Sequence, residues 1–368
     1  MIISNYAKNI IIILLVCIII YIILPPFGKI KRRFRKAWFT KPKVLKIDVK
    51  LNSINNSKKI IDSFIEDDLT KQFKNSKIKK FITYGLKNGK RVRPIILLSI
   101  FKHLANPGNK LPNYIIEAVL CIEYIHSASL VIDDIMDEDD ERRGEETLHK
   151  KFGLTMAQLV ALILVSISYQ KICYSLKELK KQHIDKINND FALIIHLNLA
   201  DNITQLSMGQ FLDINIPNNI PRIGDRIRDK INDSLWDIED LIHKKTSSLF
   251  EISFIWAWSF TYFSKDEKDL KGDIEEMRIL GRLFGLLFQI ADDFEDVEQD
   301  LLRDGKNSVM NFVINKGYKA AHRKYHEVLE QFIKLSTEKG ILTQEINEIL
   351  NYLNKKVEVY FYHYQKQK

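Results

Sequence analysis

The chain has 368 residues, of which 28% are charged and 46% hydrophobic. That balance excludes wholesale disorder and a many-span membrane protein, and it leaves ample length for a buried core. The formal charge is +9, from 56 Lys and Arg against 47 Asp and Glu. Lys8 and the nine basic residues from Lys29 to Lys46 contribute +10, so the rest sums to about −1. A local surplus of this kind argues against a nucleic-acid-binding face, and no nucleic-acid partner is expected.

At the N-terminus, residues 10–24 are an unbroken apolar run, extendable through Tyr6, Ala7 and Phe27. About 20 helical residues cross a hydrocarbon core, and this run approaches that length. A cleavable signal peptide or a core helix would present a similar run. However, no small-x-small site follows, and Pro25-Pro26-Phe27 leads straight into the basic cluster. The expectation is an uncleaved single-pass membrane anchor over 1–28 and a basic juxtamembrane linker over 29–47, with the body on the cytosolic side. The linker is either a site for anionic headgroups or a solvated stop-transfer flank.

From 48 to 368 the expectation is one all-α domain. Residues 113–216 and 222–368 contain no proline, and apolar residues recur there at helical spacing. Loops are expected near 103–113, 177–190 and 213–224, and no strand-like alternation or internal repeat persists. Cys17, Cys121 and Cys173 lack zinc or disulfide spacing and read as buried thiols of a reducing compartment.

Chemistry concentrates in two acidic clusters. Asp133-Asp134-Ile-Met-Asp137 closes an otherwise apolar segment, with His126 seven residues earlier and Arg142-Arg143-Gly144 shortly after. On a helix Asp133 and Asp137 lie about 40° apart, so the two carboxylates repel unless a cation sits between them. Hard oxygen ligands in that arrangement suit Mg²⁺, which completes its shell with phosphate oxygens, and the adjacent arginines would hold those phosphates. Alone, the cluster reads more readily as a solvated helix end or cap. Asp292-Asp293-Phe-Glu-Asp296, after Gln289, repeats the pattern. Two such clusters facing each other across a helical bundle would gather several metal ions and a diphosphate. Gly89-Lys90-Arg91-Val92-Arg93-Pro94 opens a helix with cations and backbone N–H groups suited to an anion. Gly209-Gln210 with Asp213, and Lys245-Thr246, add polar groups that separately read as surface features.

In order and spacing these motifs, from about residue 80 to 310, resemble the trans-isoprenyl diphosphate synthases, and among them most the geranylgeranyl diphosphate synthases. The resemblance implies an isoprenoid-synthase-type helical bundle around a central cavity and a homodimer. It implies that Asp133, Asp137 and Asp292 ligate three Mg²⁺ bound to the allylic diphosphate, supported by Asp134, Asp293 and Asp296. Arg142, Lys245, Thr246, Gln289 and Lys306 would contact that diphosphate. Lys90, Arg93, His126 and Arg143 would bind isopentenyl diphosphate, and Gln210 and Asp213 would sit near the metals. The sequence departs from the family after Lys306, where Lys316 alone stands near the position of a further family lysine.

The implied reaction ionises an allylic diphosphate, adds isopentenyl diphosphate to the cation and loses a proton. Preorganised cations are needed because the leaving group carries heavy charge in an apolar cavity. Ala128 and Ser129, one turn below Asp133, stand where farnesyl-producing relatives have bulky aromatics. Their small size points to geranylgeranyl diphosphate, with longer polyprenyl products as the alternative and close helix packing as the bland explanation. A terpene cyclase would lack the two anion sites, and a non-catalytic partner subunit would have lost one acidic motif. The aromatic tail from Tyr360 to Tyr364 either helps close the site or is an ordinary helix end.

Overall fold

A computed structural model describes residues 47, 49–74, 76–108, 110–184, 187, 190–219, 237–304 and 310–366. The expected anchor, nearly all of the basic linker, Cys17 and Lys306 lie outside them. The described elements are helices apart from one two-residue β-ladder, in keeping with the all-α expectation. They divide into two compact units. The smaller comprises Phe73–Gly89 and Tyr124–Ile167; the larger comprises the residues up to Gln72, Lys90–Glu123, and Ser168 onward.

In the larger unit the helices are α1 (Asn52–Gln72), α3 (Val92–Ala105), the first half of α4 (Asn113–Met136), the second half of α6 (Leu154–Gln182) and α7 (Phe191–Asn219). They are followed by α8 (Ile238–Ile242), α9 (Ser248–Thr261), α10 (Glu267–Asp304), α11 (Phe312–Lys316), α12 (Tyr318–Glu338) and α13 (Gln344–Lys366). Every residue of α9 from Ser248 to Phe260 is buried. Apart from its serines and Glu251, which pairs with Arg278 and Arg282 of α10, this stretch is apolar on every face and has no solvent side, and α3, α7 and α10 pack against it. Phe250 and Phe254 of α9 meet Phe284 of α10 at 5.1 and 5.8 Å between ring centroids, and Phe332 of α12 joins at 5.4 Å from Phe284. Such tilted and edge-on pairs add about 0.5–1.5 kcal/mol each beyond the area they bury.

Charged groups are buried in this unit as well, several of them in triads of opposite charge. Arg91 and Glu123 are 6% and 2% exposed and joined at 2.5 Å, with Asp62 on the Arg91 Nε at 2.9 Å. Lys171 joins Asp68 and Glu117 in the same way. Paired burial is what makes these charges tolerable.

The smaller unit holds α2 (Lys79–Leu86), the end of α4, α5 (Leu148–Phe152) and the start of α6. Between α4 and α5, β1 (Glu141–Arg142) pairs antiparallel with β2 (Glu145–Glu146), Arg142 opposite Glu145. Arg143 and Gly144 form the two-residue turn, with φ of 54° and 78°. Positive φ at both central positions is the mark of a type I′ hairpin. No strand was expected here, because two residues are too few to show alternation.

The loops differ from expectation in two places. α6 persists to Gln182, and α7 runs through Pro217 to Asn219. A proline removes one ladder bond and bends a helix without necessarily stopping it. Cys121 is buried as expected, whereas Cys173 on α6 is exposed.

Candidate active site

The first acidic motif is at the C-terminus of α4, in the smaller unit. Asp137 N donates to Asp133 O at 2.8 Å, so the helical turn persists to Asp137 and the two carboxylates stand one turn apart. Asp134 points inward and is buried. Arg142 Nε donates to its Oδ1 at 2.5 Å across the hairpin. Burial pushes the Asp134 carboxyl up to about 6, while the Arg142 guanidinium pulls it down. The hairpin therefore has a local purpose: its strand brings Arg142 back onto the helix that carries the aspartates. Arg143 occupies the turn itself, and its Nη1 lies 3.5 Å from Lys87 O. His126, in the same helix, is half-buried.

The second motif is near the C-terminus of α10, in the larger unit. Asp293 is buried and both of its carboxylate oxygens are occupied. Gln289 Nε2 donates to Oδ1 at 2.8 Å and Phe312 N donates to Oδ2 at 2.7 Å. Burial pushes this carboxyl up to about 8, against the two hydrogen bonds that favour its charged form. Asn311 completes the arrangement: its Nδ2 donates to Asp293 O at 2.9 Å, and its Oδ1 caps α11 by accepting from Val313 N and Ile314 N. Asp293 thus fastens the return from α10 into α11 and leaves Asp292 half-buried and Asp296 exposed.

Lys245 and Thr246 lie in a π-helical turn, His243–Ser247, inserted between α8 and α9. Widened turns of this kind are rare and gather at functional sites. Here two glycines on neighbouring helices pack against it. A Cβ on Gly209 of α7 would come 2.6 Å from Lys245 N, and one on Gly285 of α10 would come 2.6 Å from Ser247 Cα. Only hydrogen at those positions lets α7 and α10 approach the turn from their own sides. The turn is then locked at both polar residues. Lys245 Nζ pairs with Asp213 Oδ2, and Thr246 Oγ1 donates to Gln289 Oε1 at 2.7 Å. A chain Thr246–Gln289–Asp293–Phe312 therefore runs from the π turn through the second motif. Gln210 is buried beside Gly209.

Lys90 is exposed just before α3. Arg91 takes φ of 58° and turns inward to its ion pairs, and the Arg93 guanidinium lies over the Phe250 ring at 4.3 Å. The strain at Arg91 is where the chain enters α3, so the buried pair to Glu123 and the exposure of Lys90 are set by one backbone kink.

One residue of this neighbourhood escaped the motif reading. Lys356 of α13 has a fully buried side chain, with Nζ 2.6 Å from Asp292 Oδ1 and in contact with Glu295 Oε2. Burial alone would lower its pKa, but Asp292 and Glu295 outweigh it and hold the ammonium above its usual value. The available signal was a lysine on the apolar stripe of α13, between Leu353 and Tyr360.

Two helices that carry DDxxD motifs, with cations and amides fixed beside them, define a protein suited to handling diphosphate esters through charge. The comparisons with known proteins agree. The fold matches that of a geranyltransferase from Helicobacter pylori, with a TM-score of 0.60 and 25% identity over 82% of this chain and 97% of that one. A geranylgeranyl diphosphate synthase from Sulfolobus acidocaldarius is 32% identical over 256 residues, 70% of this chain and 66% of that one. A trans-prenyltransferase of African swine fever virus is 27% identical over 275 residues, 73% and 72% of the two chains. The polyprenyl synthetase family model matches residues 75–353. The chain belongs to the polyprenyl synthetase family, and its activity is that of a trans-prenyl diphosphate synthase.

Proposed function

We propose that this protein condenses isopentenyl diphosphate with dimethylallyl, geranyl and farnesyl diphosphates, that geranylgeranyl diphosphate is its main product, and that the reaction depends on Mg²⁺. The observation that carries this reading is the π turn tied at Lys245 to Asp213 and at Thr246 to Gln289 and Asp293. It fixes phosphate-binding groups and an aspartate motif in one hydrogen-bonded body.

The donor set fits Mg²⁺. Asp133 and Asp137 offer carboxylate oxygens one turn apart, and Asp292 offers another that now meets a cation, Lys356. Three bound ions would neutralise the diphosphate as it leaves. Arg142, Lys245, Thr246 and Gln289 hold the allylic diphosphate, with Lys306 completing the set. Lys90, Arg93, His126 and Arg143 hold the diphosphate of the second substrate. Asp134 orients Arg142, Asp213 orients Lys245, Gln210 keeps to their neighbourhood, and Asp296 supports the metal side. The departing diphosphate takes the proton lost after condensation.

Ala128 is buried and Ser129 half-buried, its hydroxyl turned back to donate to His126 O at 2.8 Å. Both are small, which supports growth of the chain past farnesyl length. Residues 48–368 act as one catalytic domain, held at a membrane by the 1–28 segment and its 29–47 basic linker with the body cytosolic. Two copies pair: Leu193, Leu197, Met208 and Phe211 are exposed and fall within about 60° on one face of α7, a stripe that supports burial against a second chain.

The test is incubation of the full chain in detergent with Mg²⁺, labelled isopentenyl diphosphate and each primer, followed by chromatography. Geranylgeranyl diphosphate is expected, and Ser129→Phe is expected to shorten it to farnesyl diphosphate. An unchanged product length would remove Ser129 from the floor of the cavity. Condensation that persists after chelation would rule out the metal.

A further inference from the structure

A second group of metal-binding side chains lies in the larger unit, apart from the residues that carry the prenyl-transfer motifs. His322 and His326 stand one turn apart on α12, and Glu358 faces them from α13. Both Nε2 atoms are 2.8 Å from the same Glu358 Oε1, and they are 3.2 Å from each other. All three residues are partly buried, and their ligand atoms fall within 4.8 Å of one another.

The chemistry of the set differs from that of the aspartate motifs. Two imidazoles and one carboxylate favour Zn²⁺ and its first-row neighbours, whereas Mg²⁺ prefers oxygen alone. Tetrahedral Zn²⁺ with bonds of about 2.0–2.1 Å needs its ligand atoms roughly 3.3 Å apart. The observed triangle is slightly tighter than this, as expected of donors that already converge. Histidines at i and i+4 on one helix face are a recurrent way to present two such donors. The ring of His322 is further oriented by stacking on Phe361, at 3.9 Å between centroids and 17° between planes. Partial exposure leaves room for water as a fourth ligand.

We propose that His322, His326 and Glu358 bind one Zn²⁺-class ion, separate from the Mg²⁺ of prenyl transfer, and that this ion fastens α12 to α13. Glu358 lies two residues from Lys356, so the fastening acts on the helix that supplies the counter-charge to Asp292 and Glu295.

The probe is Co²⁺, which reports geometry through its visible spectrum. The full chain in detergent, stripped of metal and held in excess Mg²⁺, is titrated with Co²⁺ and then with Zn²⁺. One Co²⁺ per chain with the intense bands of a four-coordinate site is expected, displaced by Zn²⁺. His322→Gln, His326→Gln and Glu358→Gln should each weaken binding at least tenfold, and Asp292→Asn should not. In the unmodified chain, Zn²⁺ should protect His322 and His326 from carbethoxylation, read by mass spectrometry. A Co²⁺ spectrum unchanged in the histidine variants, or no protection of the two rings, overturns the proposal.

Discussion

Asp134 and Asp293 occupy the same place in two DDxxD motifs, yet their buried carboxyls are satisfied in different ways, one by a cation and one by neutral amides. Asp134 is met by Arg142, eight residues on, through a two-residue hairpin. Asp293 is met by amides from Gln289 and Phe312, and its neighbour Asp292 by Lys356, 64 residues away on the last helix. The first cluster is therefore assembled by its own stretch of chain. The second depends on the correct docking of α13 and α11, so its charge balance is a tertiary property. Identical spelling conceals one motif that is local and one that the whole larger unit has to build.

That difference can be broken experimentally, beginning with the aspartates themselves. Asp133→Asn and Asp292→Asn should each lower kcat by about 10³-fold, the scale of removing a main electrostatic contact to a leaving group; a radiolabelled condensation assay measures both. If only one does so, the two clusters are not partners in the same step. Lys356→Met comes next. It leaves two half-buried carboxylates without their counter-charge and should destabilise the metal-free chain by roughly 1.5–3 kcal/mol, read by denaturant unfolding. Added Mg²⁺ should recover part of that loss, and recover more than it adds to the unmodified chain. No comparable dependence on a distant residue is expected for the first motif.

Gly209→Ala tests the wall of the π turn. Its Cβ would press on the Lys245 backbone, and a loss of about 1–3 kcal/mol together with a raised KM for the allylic substrate is expected. The smallest effect concerns Asp62, the outer partner of Arg91. Partial burial raises its carboxyl, but hydrogen bonds from Lys58 and Arg91 outweigh this and hold it below the usual value. Because the folded pKa is the lower one, the unfolded chain takes up the proton first as pH falls. The stabilisation is therefore present above the unfolded pKa of about 3.9 and is lost below it. Asp62→Asn should cost under about 1 kcal/mol at neutral pH and nothing in strong acid, measured as the difference in denaturation midpoint across that range.

The sequence reveals what is local and conceals what is not. Helical spacing over α4, α7 and α10 placed both aspartate motifs on helices, the first at a helix end as expected and the second two turns inside α10, which runs on to Asp304 because Glu298 to Asp304 continue the helix without a breaker. Gly89 to Pro94 was legible as the entry to α3. The hairpin was hidden because two residues show no period. The packing around the π turn was hidden because its partners lie on other helices, at Gly209 and Gly285. Lys356 was hidden for the same reason: on α13 it reads as one charge among apolar neighbours until Asp292 and Glu295 come into view. The inward course of Arg91 likewise depends on Glu123 and Asp62, which lie 32 and 29 residues away.

The widened turn at His243–Ser247 holds one residue more than an ordinary α turn, and one residue advances the angular phase of a helix by about 100°. Before and within that turn side chains still reach water, Asp240 and His243 to Thr246 among them, and from Ser247 to Phe260 every side chain is buried. The phase slip thus acts as a waterline within a continuous rod.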